Sequence, residues 1–230
     1  MGFNPSPIEL TPKELRRQNI YKFFSALCDR EVIVESLVEY IVWLSMEFNH
    51  RIVFLCERPA ELSGRVDGKS KSYRPDLFFR TCDGEESLGE AKKQEDIKEV
   101  EPGVWQPARW PIMTALCEQV RLPLKLFVDS DFLPVKTAVA NWRDALGHVA
   151  DEAQRPRHEL REQLLKQFED LPMLSIGELS ANLPDWEPTE VQNAALWWVH
   201  QGPLSLDWNK APLGRETVLT LHSGMDWRRV

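Results

Sequence analysis

The stretch Y-R-P-D-L-F-F-R-T-C-D-G-E-E-S-L-G-E-A-K-K, residues 73–93, constrains this chain more than any other. Apolar runs flank the turn pair Asp83-Gly84, which is the signature of two strands joined by a tight turn. Asp76 heads the first run, and Glu90-Ala91-Lys92 closes the second. Alternate side chains of a strand share a face, so Glu90 and Lys92 point one way and Ala91 the other. If the strands pair as a hairpin, Asp76 lies beside Glu90 and Lys92, and two carboxylates and an ammonium meet at one end of a sheet.

The surrounding pattern is α/β. Residues 1–12 carry three prolines and read as an arm, followed by a helix-like, locally basic segment from Lys13 to Phe24. Glu31 to Glu35 is extended, because three β-branched residues run together. Ser36-Leu37-Val38-Glu39 fits a capping box, and Leu37, Ile41, Leu44 and Phe48 continue it at helical spacing. Arg51 to Glu57, Lys71 to Thr81 and Glu86 to Lys93 read as strands, with a turn at Asp67-Gly68. Trp110 to Val120 is helical, Leu122 to Asp129 a buried strand, and Val135 to Val149 a helix. Three strands, a helix, a strand and a helix predict a mixed sheet flanked by helices.

After Asp151 the pattern changes. Residues 151–158 are polar with a proline and read as a linker. Helices are expected over Glu159 to Phe168, Ile176 to Leu183 and Thr189 to His200, punctuated by Pro172, Pro184 and Gly202. Leu204 to Trp208 and Val218 to His222 alternate around turn residues, predicting a hairpin. Three short helices and a hairpin outline a winged-helix-like domain. The division expected is an arm at 1–12, an α/β domain at 13–150 and this small domain at 151–230.

Converging carboxylates repel one another unless a cation lies between them. Oxygen-only ligation suits magnesium, with manganese as a substitute, and leaves water in the remaining coordination positions. A cation held in this way promotes attack of water on a phosphodiester, and Lys92 would orient that water or stabilise the charge formed at phosphorus. Pro-Asp pairs also open ordinary turns, and E-x-K recurs in charged chains; the two on paired strands together point to a metal-dependent nuclease. Glu39 has two readings. It is the capping-box glutamate that bonds back to Ser36, or a third acidic ligand above the apolar stripe of Val42 and Met46. Glu35 is its near alternative, whereas Glu85 and Glu86 read as surface charges at a turn.

Asp76, Glu90 and Lys92 resemble the PD-(D/E)xK motif of the restriction-endonuclease-like superfamily. More narrowly, the chain resembles TnsA, the endonuclease subunit of heteromeric TnsA/TnsB transposases. The resemblance is carried by S-L-V-E-Y-I-V-W-L-S-M-E-F at 36–48, R-I-V-F-L-C-E-R-P at 51–59, Y-R-P-D-L-F-F at 73–79, G-E-A-K at 89–92 and L-P-L-K-L-F-V-D-S-D-F at 122–132. It covers about residues 13–150, and the tail is similar in architecture only. It implies a catalytic glutamate at the start of a helix, here Glu39, with the aspartate at Asp76 and the lysine at Lys92. Some members have glutamine where Glu90 stands. Many have Gln-Pro where this chain has Arg58-Pro59, which leaves Arg58 without a role. The Ala91 backbone carbonyl is a further metal ligand in related folds. TnsA-like subunits cut the 5′ ends of the transposon in double-stranded DNA, while a DDE transposase, TnsB, cuts and joins the 3′ ends and an AAA+ ATPase, TnsC, regulates both. The alternatives are a stand-alone restriction-type nuclease or junction resolvase, and a non-enzymatic winged-helix adaptor with an inactive nuclease fold.

Other chemistry is excluded by what the sequence lacks. Cys28, Cys56, Cys82 and Cys117 form no C-x-x-C pair, so neither a zinc ribbon nor a dense disulfide framework is expected. The five histidines have no metal-hydrolase spacing, and no Walker A, G-x-G-x-x-G or G-x-S-x-G sequence occurs. No secretory signal or run of ~18 apolar residues is present, so a cytoplasmic, nucleoid-associated protein without a membrane partner is expected.

The net charge of −8 weighs against a nucleic-acid partner at first sight. Residues 151–230 carry 8 Lys or Arg against 13 Asp or Glu, net −5, so only −3 falls on the first 150 residues. Lys13, Arg16, Arg17 and Lys22 form a basic patch there. Weak DNA binding by the chain alone, with affinity supplied by a partner, is the expectation. In the tail, the helix of Trp197 and Trp198 offers Gln192 and Asn193 to bases but is otherwise apolar, which favours docking to protein.

Overall fold

Alternation and turn chemistry place the strands of the N-terminal region. A computed structural model describes residues 3–16 and 19–222. Arg17, one of the four residues of the expected basic patch, lies outside them. The described residues form two compact units. One is drawn from the chain up to Phe23 and from Arg30–Pro134, the other from Phe24–Asp29 and from Val135 onward.

Along the chain, β1 (Tyr21–Ser25), which leaves the first unit after Phe23, and β2 (Arg30–Val34) precede α1 (Leu37–Glu47). Among the described residues, Lys13 to Phe24 is therefore not a helix. Residues 12–16 form turns, and the aromatic run Tyr21-Lys22-Phe23-Phe24 takes the extended form that aromatic residues favour. Ser36 caps α1, accepting from the Glu39 N–H at 3.1 Å. The central sheet contains β3 (Ile52–Glu57), β6 (Leu77–Thr81), β7 (Glu86–Lys92) and β10 (Leu124–Val128), ordered β10-β7-β6-β3. Its β3–β6 and β6–β7 pairs are antiparallel, while β7–β10 is parallel. A parallel pair needs a crossover, and α2 (Trp110–Gln119) supplies it.

Two hairpins were not legible as such. β4 (Leu62–Val66) and β5 (Lys69–Tyr73) pair across Asp67-Gly68, both at positive φ. The strand expected over Lys71 to Thr81 is thus two strands, broken at Arg74-Pro75 because proline lacks the ladder N–H. β8 (Ile97–Glu101) and β9 (Val104–Pro107) pair across Gly103. Buried Cys56, Phe78, Leu88, Met113 and Leu116 form a core beneath the sheet.

The second unit begins with α3 (Lys136–Gln154), which overturns the linker expected at 151–158. Those polar residues are satisfied internally. Glu152 is fully buried and accepts from Arg157 at 2.7 Å and Arg161 at 2.6 Å. Next come α4 (His158–Lys166), β11 (Met173–Ser175), α5 (Ile176–Asn182), α6 (Pro188–Gln201), β12 (Leu204–Ser205) and β13 (Val218–Leu221). The last strands form the expected hairpin, and β11 joins it in a three-stranded sheet ordered β11-β13-β12. Leu160, Leu164, Ile176, Leu179, Val191 and Leu219 build its core.

Candidate functional site

Pro75 ends one ladder and Asp76 opens the next. The Asp76 N–H donates to the Gly89 carbonyl at 3.1 Å, and its carbonyl accepts from the Arg58 N–H at 2.9 Å. Its carboxylate Oδ2 accepts from the Ala91 N–H at 2.7 Å. Two of these hydrogen bonds fix Asp76 against the end of β7, and the third ties it to Arg58, just past β3. Gly89 makes the close approach possible, because a Cβ there would lie 2.7 Å from Leu77 Cδ2.

Alternation along β7 turns Glu90 and Lys92 to one side, as the sequence implied. Glu90 is buried. Its Oε1 is ion-paired with Lys92 Nζ, and its Oε2 accepts from the Tyr73 hydroxyl at 2.6 Å. Lys92 Nζ lies 3.9 Å from Asp76 Oδ2 and donates to the Ala91 carbonyl at 3.2 Å. Asp76, Glu90 and Lys92 thus meet at one end of the sheet.

Glu39 comes from α1, half-buried above buried Val42 and Met46. It does not close a capping box on Ser36. Its Oε2 accepts from the Glu35 N–H at 3.1 Å, one residue before the cap. Its charge nonetheless acts on both Asp76 and Lys92. Glu35, the alternative, is committed elsewhere, to Arg74 at 3.2 Å. Glu86 pairs with Arg80, and Glu85 is exposed.

The electrostatics are those of crowded carboxylates. Burial, then the charges of Glu90 and Glu39, hold the Asp76 carboxyl well above the usual carboxylate range, against Lys92 and the Ala91 N–H. Burial likewise pushes Glu39 up. Burial opposes the Lys92 ammonium, yet Asp76 and Glu90 outweigh it and raise Lys92 above its ordinary value. Burial and the adjacent Glu90 charge lift the Tyr73 hydroxyl far above the usual phenol range. Buried Cys117 is pushed up to about 12 and stays a thiol.

Three residues around the site carried no sequence signal that names them. Tyr73, Arg74 and Arg109 line an open cleft of about 480 Å³ with Glu90 and Lys92. Tyr73 stands three residues before Asp76, one turn of alternation too far to be linked to Glu90 without knowing the register. Arg58 has a role after all. Buried and at φ 41°, it donates to the carbonyls of Ile8 at 3.0 Å and Ile33 at 2.6 Å, binding the N-terminal arm to β2.

The donor set suits a small hard cation in kind, since Asp76, Glu90, Glu39 and the Ala91 carbonyl offer only oxygen. Crowding that raises two carboxylates is relieved by divalent charge. Among the described residues, however, no three His, Cys, Asp or Glu side chains converge closely enough to enclose a metal. Asp76 and Glu90 are bridged by Lys92, and Glu39 stands back. A magnesium ion would take one or two such carboxylates and complete its shell with water and substrate.

In the second unit, the side chains expected to face bases are occupied. Asn193 Oδ1 and Gln192 Nε2 contact the two ring nitrogens of His148 at 2.6 and 3.1 Å, and Asn193 Nδ2 donates to Asp151 at 2.7 Å. Trp198 packs on the core and donates to the Arg161 carbonyl at 3.0 Å, while Trp197 lies under the Arg161 guanidinium, 4.3 Å from ring centroid to Cζ. No helix among the described residues is long and apolar enough to cross a membrane. Neither known protein families nor curated proteins yield a match to this chain.

Proposed function

We propose that this chain is a magnesium-dependent endodeoxyribonuclease, the TnsA-like subunit of a heteromeric transposase that cleaves the 5′ ends of a transposon. The observation that carries the reading is the meeting of Asp76, Glu90 and Lys92 at one sheet end, with the charge of Glu39 acting on Asp76 and Lys92. The chain order α1-β3-β6-β7-α2-β10 and the sheet order β10-β7-β6-β3 support a restriction-endonuclease-like core. The order α4-β11-α5-α6-β12-β13 supports a winged-helix-like second domain. Because Gln192 and Asn193 are bonded to α3, that domain docks protein rather than reading bases with α6.

Asp76, Glu90 and the Ala91 carbonyl would hold magnesium or manganese, with Glu39 the outer carboxylate. Bound there, the cation would neutralise phosphate charge and promote ionisation of the attacking water. Lys92 presents its ammonium where negative charge grows in the transition state, and Tyr73 fixes Glu90 so that the pair keeps its place. The expected partners are a TnsB-like DDE transposase acting at the 3′ ends and a TnsC-like AAA+ ATPase.

The test is 5′-end cleavage of a labelled transposon end by the reconstituted subunits. Asp76→Ala or Lys92→Ala should lower the rate by about 10²–10⁴-fold while leaving the fold intact by circular dichroism. Unchanged cleavage would establish the adaptor reading. Efficient cutting by the purified chain alone would instead mark a stand-alone nuclease.

A further inference from the structure

We propose that the exposed face of the β4–β5 hairpin, continued by Arg109, is a track for one DNA phosphate backbone leading into the cleft of Glu90 and Lys92; this rests on the nuclease reading above. The hairpin register divides it into two faces. Leu62 and Tyr73 are paired and buried on one side, where Gly64 lies against Leu116 and Gln119 of α2. The other side carries the pairs Ser63–Ser72 and Arg65–Ser70, all exposed. That face is small and polar, with hydroxyl donors and one guanidinium, and no aromatic or aliphatic side chain to seat another protein's apolar surface.

The charge there is opposite to that of the chain. The face carries Arg65 and no carboxylate, with Asp67 only at the turn, within a protein of net charge −8. Lys69 and Lys71, opposite Val66 and Gly64, lie on the other side of the hairpin, and Arg74 is ion-paired with Glu14 and Glu35. Arg109 extends the cationic surface. One of its N–H groups donates to the Ser72 carbonyl at 3.0 Å, which fixes the guanidinium beside the serine face and leaves its remaining donors for a ligand. Ser72 and Arg109 both line the cleft that holds Glu90 and Lys92, so the face is continuous with the site; Glu61 is the carboxylate at that junction.

The chemistry selects backbone over bases. Arg, Lys and Ser are the residues that contact phosphate oxygens and fix a protein on a duplex without reading its sequence. A five-residue strand spans about 16 Å, enough for two or three successive phosphates along one DNA backbone. No Asn or Gln projects from this face to pair with a base edge.

The test uses the full chain carrying Lys92→Ala, without magnesium, and a short fluorescein-labelled duplex of random sequence, with anisotropy read across about 50–200 mM salt. Arg65→Gln and Arg109→Gln should each flatten the slope of log K against log salt by about 0.9, the loss of one phosphate contact. Lys166→Gln, an exposed lysine of α4, should leave the slope unchanged. Slopes identical to the parent's in the hairpin and Arg109 variants, an equal loss with Lys166→Gln, or no binding by the parent at low salt would each overturn the track. The nuclease reading fails separately, if Lys92→Ala leaves cleavage by the assembled subunits intact.

Discussion

At Glu90 every carboxylate oxygen has a partner, and one of them is a side chain outside the acidic motif. Tyr73 donates to Oε2 from a buried position, opposite the ion pair that Lys92 makes with Oε1. Tyr73→Phe keeps the ring and removes only the donor. It should destabilise the fold by about 1–3 kcal/mol, because a buried acceptor loses its bond, and urea unfolding measures this. Cleavage should fall further, about 10–100-fold, as losses of second-layer partners do at metal sites. Gly89→Ala tests the neighbouring constraint. Its methyl would meet Leu77 at 2.7 Å and Phe127 at 3.1 Å, so overpacking should cost about 1–3 kcal/mol and displace Ala91, the donor to Asp76. An unchanged midpoint in urea would show that Leu77 yields freely.

Elements that obey a short local rule were the ones legible in the chain. The three sheet strands β3, β7 and β10 and the helices α1, α2, α5 and α6 fall where alternation, caps and prolines put them, because each buries one face and ends at a recognisable stop. The pairing of Asp76 with the E-A-K strand was readable for the same reason. What escaped was non-local. Residues 151–158 are polar enough for a linker, yet Glu152 is fully buried between Arg157 and Arg161, so composition reported charge while the partners lay several residues on. The hairpin β8–β9 has exposed Val100, Val104 and Trp105 and little burial to set its period. Ser36-to-Glu39 spacing suggested a reciprocal cap, but the glutamate reached back to Glu35, whereas Ser175 and Glu178 at α5 do form both bonds. The α3–α4 junction gives the matching prediction. Glu152→Ala leaves Arg157 and Arg161 without their buried counter-charge and should cost about 3–5 kcal/mol by chemical denaturation. A loss below about 1 kcal/mol would mean that Asp151 and Glu190, which also pair with Arg157, suffice alone.

Across the whole molecule, an acidic balance and a proposed DNA substrate are compatible only if the carboxylates at the site meet a cation, and stability against pH reports this directly. Asp76 is held above its unfolded value of about 4 by burial and the charges of Glu90 and Glu39, and Glu39 above its own by burial and the charge of Glu35. Between the unfolded value and the raised folded one, the native state holds more protons than the unfolded chain. Stability therefore falls as pH rises through that window, beginning near pH 4, and levels off above the raised value. A divalent cation takes the place of those protons, so magnesium should add little below the window and most above it. Thermal unfolding with and without magnesium chloride across this range should show a metal-dependent gain that grows with pH. Asp76→Asn should flatten the descending limb and abolish most of the gain together, since one amide removes both the repulsion and the ligand. Stability that rose with pH through this window, or a magnesium gain equal in Asp76→Asn, would separate the carboxylate cluster from metal binding and leave Lys92 as the counter-charge of Asp76 and Glu90.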